Sequence, residues 1–137
     1  MEWNDAITRA IDYIEENLTE EIDYEKVARK ACYSAYHFQR LFGMVCGCTL
    51  GEYIRQRRLS EAGKDLLSGE KVTEVAFRYA YQTPESFSRA FRNFHGVLPS
   101  SVKRGCPLKC FPRITIQTAR DIKRNSFAAG VIDSAHG

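Results

Sequence analysis

The chain repeats itself. Val27-Ala28 returns 48 residues later as Val75-Ala76, and Phe38-Gln39-Arg40-Leu41-Phe42 returns 49 residues later as Phe87-Ser88-Arg89-Ala90-Phe91. Gly47 returns as Gly96 at the same interval of 49. The register slips by one residue between these blocks, where a turn is expected and an insertion is cheap. Two copies of a short helix, a tight turn and a longer helix are therefore written into the 137 residues. Any fold of this chain must bury two similar apolar faces.

The elements around the repeat follow from local rules. Ile7, Ile11, Ile14 and Leu18 recur at helical spacing after Asn4, which predicts an Asn4-capped amphipathic helix of about four turns. Asp23 opens a short helix near Tyr24–Ala31 with Val27 and Ala28 inward. Cys32-Tyr33 makes the turn, and Ser34 caps the next helix. That helix buries Phe38, Leu41, Phe42 and Val45 and turns Tyr36, Gln39, Arg40 and Gly43 outward. Gly47 ends it. Thr49-Leu50-Gly51-Glu52 reads as a capping box that opens a long helix ending near Ser68-Gly69. Its inward side is Leu50, Tyr53, Ile54, Leu59, Ala62, Leu66 and Leu67, and Arg55, Arg57 and Arg58 crowd its first half. In the second copy Val72–Tyr79 is the short helix and Ala80-Tyr81-Gln82 the turn. Thr83 caps, and Pro84 takes the first helical position, where a missing N–H costs nothing. Phe87, Ala90, Phe91 and Phe94 point inward, while Glu85, Ser88, Arg89 and Arg92 point outward. Gly96 stops this helix, and Pro99–Arg104 is expected to add one closing turn.

The predicted fold class is all-α, with about seven helices. Helix-turn-helix subdomains at 1–48 and 69–105 are joined by a linker helix at 49–68 and followed by a tail at 106–137. Within the tail, Ile114-Thr115-Ile116-Gln117-Thr118 alternates like a strand that has nothing in the chain to pair with. Residues 125–137 are expected to be poorly ordered.

Charge is divided unevenly along the chain. Residues 1–25 carry nine acids and one base, and the remainder carries 19 bases and 8 acids. A basic body suits a face offered to a polyanion, and a solvated mixed-charge surface would give the same numbers. No apolar run is long enough for a membrane span, and the start lacks the regions of a secretory signal, so a cytoplasmic location and no membrane partner are expected. The five cysteines are then expected as reduced thiols, with Cys32 and Cys46 as small core residues. Cys46-Gly-Cys48 and Cys106 to Cys110 lack the spacing of zinc pairs, and His37, His95 and His136 are scattered, so no metal is expected. With no paired carboxylates, nucleophile–base set or phosphate-binding glycine loop, no catalytic residue, no cofactor and no enzyme activity are expected.

The outward faces of the repeat carry the chemistry. A helix-turn-helix sets its second helix in the major groove of DNA while the first braces it across the backbone. Arginine matches guanine and glutamine matches adenine through paired hydrogen bonds. Gln39 and Arg40, with Tyr36 one turn earlier and Ser34 at the cap, supply such a face in the first copy. Arg89, with Thr83, Glu85, Ser86 and Ser88, supplies it in the second. Glu85 suits either accepting from a cytosine amino group or repelling phosphates as a filter. Arg55 and Arg92 suit phosphates. Arg57 and Arg58 suit an internal ion pair with Glu61 or Glu52, and both histidines near the repeat suit structural or solvated roles. An arginine on an amphipathic helix is ordinarily only a solvated one. The same residue type at the same place twice argues for a contact.

Three stretches are similar to the AraC/XylS family of bacterial regulators: Tyr33 through Phe42, Gly51 through Ala62, and Ser86 through Phe91 followed by Gly96-Val97 and Pro99. The resemblance covers about residues 5–105. It implies two recognition helices that read adjacent major-groove segments of double-stranded DNA, with RNA polymerase as a frequent partner. It places base contacts at Tyr36, Gln39 and Arg40, and around Glu85, Ser88 and Arg89. The family usually has glycine where this chain has Ala80, which implies a strained or re-angled second turn. Leu108 through Ile116 resembles the entry to an effector-binding domain, of which only the first strand would be present. A small-molecule effector is therefore implied only with a fuller C-terminal domain. The alternative is a protein-interaction module that contacts RNA polymerase or another regulator without DNA specificity of its own.

Overall fold

The computed structural model describes residues 2–115. The elements are α1 (Trp3–Glu16), α2 (Tyr24–Lys30), α3 (Ala35–Cys46), α4 (Leu50–Leu67), α5 (Val72–Arg78) and α6 (Pro84–His95), closed by a 3-10 turn at Pro99–Ser101. No strand occurs among the described residues. The expected closing turn is shorter than Pro99–Arg104 because Val102 is extended (φ −73°, ψ 124°) and packs its side chain on the α5–α6 core. Helix α1 begins at Trp3, with Glu2 O accepting from Ala6 N–H, so Asn4 lies inside the helix rather than capping it. Ile114 and Thr115 are not in a strand. Residues 116–118 and the expected disorder of 125–137 lie outside the described residues.

The chain divides into two compact units. The first contains α2, α3, most of α1 and the opening of α4 as far as Tyr53. Its centre is Ile7, Ile11 and Ile14 of α1, Val27 of α2 and the completely buried Phe38 and Phe42 of α3. The rings of Phe38 and Phe42 lie 5.9 Å apart, and Phe42 meets Tyr53 edge-on at 5.6 Å. The second unit holds residues 16–22 and 54–112. Phe87 and Phe91 of α6, again completely buried, pack with Val75, Ala76, Leu59, Ala62 and Leu66. Burying each large apolar side chain stabilises by about 1.5–3 kcal/mol. Leu41, Leu67, Ala90 and Phe94 are half-buried at the rims of these cores.

Each short helix ends in the same way. Tyr33 N–H donates to Ala28 O at 2.9 Å and Cys32 N–H to Arg29 O at 3.0 Å; Tyr81 N–H donates to Ala76 O at 3.1 Å and Ala80 N–H to Phe77 O at 3.2 Å. These are paired Schellman closures, which require a left-handed residue just beyond the helix. Glycine usually supplies it. Here Cys32 (φ 62°) and Ala80 (φ 67°) do so, at a cost of about 1–2 kcal/mol each. Cys32 is consequently an exposed turn residue and not a core one, whereas Cys46 is buried as expected.

Long-range polar contacts complete each unit. Arg78 of α5 donates to Asp65 at 2.8 Å and to both carboxylate oxygens of Glu70, and the Tyr79 hydroxyl donates to Asp65 at 2.7 Å. Arg57 pairs with Glu61 at 2.9 Å, as expected. Arg58 donates to the carbonyls of Leu18, at 2.9 Å, and Glu20. Side chains rather than a second strand satisfy the backbone after Gly105. In the second unit Phe111 N–H donates to Ser60 Oγ at 3.0 Å, Arg57 donates to Phe111 O at 2.7 Å, and Lys109 N–H donates to His95 Nδ1 at 3.1 Å. Gly63 leaves room there, since a Cβ would stand 3.0 Å from Leu108 Cδ1 and 3.1 Å from the His95 ring. In the first unit Ile114 N–H donates to the Tyr53 hydroxyl at 3.3 Å, which in turn donates to Glu15 at 3.2 Å, and Arg113 pairs with Asp12.

Two predictions follow from this packing. Ala80→Gly relieves left-handed strain but adds freedom to the unfolded chain, so urea unfolding should show a net gain of about 0.5–1 kcal/mol. A loss of stability would contradict the strain. The second concerns His95. Lys109 N–H can only donate and Leu59 O, 2.8 Å from Nε2, can only accept, so the ring is neutral with its proton on Nε2. Burial holds its pKa below the ordinary value, with Lys109 acting in the same direction. The unfolded chain therefore takes up the proton first. Stability should be flat above about pH 7 and fall as pH drops below about 6.5. In His95→Phe that part of the slope should vanish, as read from urea midpoints across pH.

Candidate nucleic-acid interface

Each longer helix of the repeat is entered through a capped turn. The Ser34 hydroxyl accepts from His37 N–H at 3.2 Å and shares a 2.8 Å hydrogen bond with His37 Nδ1. Thr83 Oγ1 accepts from Ser86 N–H at 3.1 Å, and the Thr83 and Ser86 hydroxyls are 3.0 Å apart. Ser34 and Thr83 thus satisfy donors that open α3 and α6, and the Ser86 hydroxyl donates back to Thr83 O at 2.9 Å. At the other ends, Gly47 (φ 75°) and Gly96 (φ 80°) stop both helices after the same 12 residues.

Burial of the paired phenylalanines sets which side of each helix faces water. On α3 that side carries Tyr36, Gln39 and Arg40, all exposed. They are not independent: Arg40 Nη1 donates to the Tyr36 hydroxyl at 3.1 Å, and its guanidinium lies 5.7 Å from the Tyr36 ring centre. The two side chains hold one another upright, so Arg40 has less rotamer freedom to lose on meeting a ligand. On α6 the corresponding side carries Glu85, Arg89 and Arg92, exposed, with Ser88 partly covered. Arg55 is exposed on α4. It and Arg58 lie near enough to Tyr81 to counter the upward push that burial gives its phenol. The structure therefore brings Ser34, Tyr36, Gln39 and Arg40 together on one helix and Thr83, Glu85, Ser86, Ser88, Arg89 and Arg92 on another.

Two features were missed by sequence reasoning. Lys26, Arg29 and Lys30 of α2 line a cleft with Tyr13 of α1, and Lys30 Nζ stands 5.6 Å over the Tyr13 ring. Three bases within five residues of a bracing helix was the available signal. Met44 of α3 is 69% exposed, more than Tyr36 at 65%, although an apolar residue on an amphipathic helix is ordinarily assigned inward.

The cysteines form no centre. Among the described residues no group of three or more His, Cys, Asp or Glu is placed to hold a metal ion. Burial pushes the Cys46 thiol up to about 12, with Cys48 adding to the effect, which leaves it inert as a nucleophile. No helix among the described residues is long and apolar enough to cross a membrane.

Comparison with known proteins gives a consistent result. Residues 27–105 match the family described as helix-turn-helix domain. The HTH-type transcriptional activator AarP of Providencia stuartii is 36% identical over 95 residues, covering 69% of this chain and 70% of AarP. The multiple antibiotic resistance protein MarA of Escherichia coli is 38% identical over 98 residues, covering 69% of this chain and 77% of MarA. Among solved structures, the DNA-binding domain of the global transcriptional factor AdpA, in complex with a target DNA, superposes with a TM-score of 0.64 at 27% identity. It covers 71% of this chain and 88% of that one.

Proposed function

The chain belongs to the AraC-type helix-turn-helix family of bacterial transcription regulators, and we propose that α3 and α6 each read a segment of major groove in a specific double-stranded DNA site. The observation that carries this is the recurrence of an outward arginine, Arg40 and Arg89, at the same place on two N-capped second helices. In α3, Arg40 bonds the O6 and N7 of a guanine, steadied by Tyr36, and Gln39 bonds an adenine. In α6, Arg89 takes a guanine, while Glu85 accepts from a cytosine amino group and Ser88 lies beside them. Arg55 and Arg92 neutralise phosphates, and the Ser34 and Thr83 caps, with Ser86 bonded to Thr83, sit where each helix meets the backbone. Subdomains at 1–48 and 69–105, joined by a linker at 49–68, are the units of this recognition. The protein acts in the cytoplasm as an activator with RNA polymerase as its second partner, in line with its similarity to the transcriptional activator AarP. A small-molecule effector enters only with a fuller C-terminal domain than the tail at 106–137.

Fluorescence anisotropy on duplexes selected from a random library, across a salt series, tests this. Wild type should hold its selected site against competitor DNA, with log affinity falling linearly in log salt. Arg40→Ala should lose about 1–3 kcal/mol of discrimination at one base pair. Arg55→Ala should weaken all sequences alike and reduce the salt slope by about 0.9. Full selectivity in Arg40→Ala would remove its assignment. Failure to bind any duplex, with retention of a protein partner at high salt, would favour a protein-interaction role for the acidic α1.

A further inference from the structure

The outward stripe of α3 runs one turn further than Arg40. Gly43 follows Tyr36, Gln39 and Arg40 at the i, i+3, i+4, i+7 spacing with which a recognition helix of the homeodomain type reaches base edges. Glycine inside a helix is destabilising by about 1 kcal/mol relative to alanine, so it needs a reason. The fold supplies none. A Cβ at Gly43 would meet no atom within 4 Å, its φ is not positive, and the equivalent position of the second copy, 49 residues on, carries the long side chain of Arg92. Beside it, Met44 is 69% exposed and lines one open cleft with Tyr36, His37, Arg40 and Leu41. It lies about 40° round the helix from Arg40, on the flank of the same stripe.

Resting on the DNA-binding reading, we propose that Gly43 and Met44 form an apolar extension of the α3 reading face. Gly43 lets the helix approach the duplex closely, and Met44 packs on the methyl group of a thymine. The thioether makes at best a weak hydrogen bond. The one apolar group that base edges present in the major groove is the thymine C5-methyl. The contact thus specifies thymine at one position next to the base pair read by Arg40. The second copy, with Arg92 and Asn93 at these places, has no equivalent.

Deoxyuridine substitution isolates the methyl, because it leaves base pairing intact. In the site selected by wild type, each thymine is replaced singly and affinity measured by anisotropy for wild type, Met44→Ala and Gly43→Ala. One replacement should weaken wild type about fourfold, the value of one buried methyl, and Met44→Ala should bind the thymine and uracil duplexes equally. Gly43→Ala should melt no earlier than wild type yet bind the site more weakly. A wild type indifferent to every replacement, or a Met44→Ala that keeps the full preference for thymine, overturns the methyl contact. Wild-type affinity in Gly43→Ala overturns the close approach. A wild type that selects no site at all overturns DNA reading itself, which separates that failure from these.

Discussion

Two pairs of phenylalanines, each four residues apart on one helix, govern this molecule. Phe38 with Phe42, and Phe87 with Phe91, are buried completely, and removing such a ring from a core costs about 3–5 kcal/mol. A helix so anchored cannot rotate about its axis. Once Phe38 and Phe42 are inside, the 3.6-residue period leaves Tyr36, Gln39, Arg40 and Gly43 no choice but the outer face. The chemistry of the surface is thus a geometric consequence of apolar burial beneath it. The strained turns at Cys32 and Ala80 belong to the same constraint: the chain must reverse within a few residues so that the short helix packs against the long one, and the left-handed residue is the cost of that reversal.

Helix entry and exit, apart from the start of α1 and the closing turn, were legible because they are decided locally. Asp23 accepts from Glu25 N–H at 2.9 Å. Thr49 and Glu52 exchange reciprocal bonds of 2.9 and 3.1 Å. Ser34, Thr83, Pro84, Gly47 and Gly96 each act within four residues of their own position. Propensity, capping and period describe interactions at that range, and the all-helical fold class follows from them.

What was not legible depends on distant partners. The backbone of Phe111 is held by Ser60, 51 residues away, and that of Ile114 by Tyr53, 61 residues away. The alternation at 114–118 suggested a strand because the need for backbone partners can be read in a sequence, whereas the identity of those partners cannot. Arg58 followed the same logic: its bonds to the carbonyls of Leu18 and Glu20 reach back 40 and 38 residues, beyond what helical spacing can show. Met44 received no assignment for a simpler reason: an exposed apolar residue is visible only when the surface is measured.

The two copies also separate what packing demands from what it does not. At inward positions they agree in kind: valine and alanine on the short helices, phenylalanine twice on the long ones, glycine at the stop. At outward positions they diverge, with Tyr36 against Glu85, Gln39 against Ser88 and Gly43 against Arg92. A surface free of internal constraint should drift in this way, because most exposed substitutions change stability by less than about 0.5 kcal/mol. Arg40 and Arg89 are the outward residues of this stripe that coincide. No core contact requires an arginine at either place, since the phenylalanines beneath already fix both helices. A coincidence that folding does not require points to a demand made from outside the molecule, and a guanidinium on the exposed face of a capped helix meets that demand best where guanine and phosphate lie together.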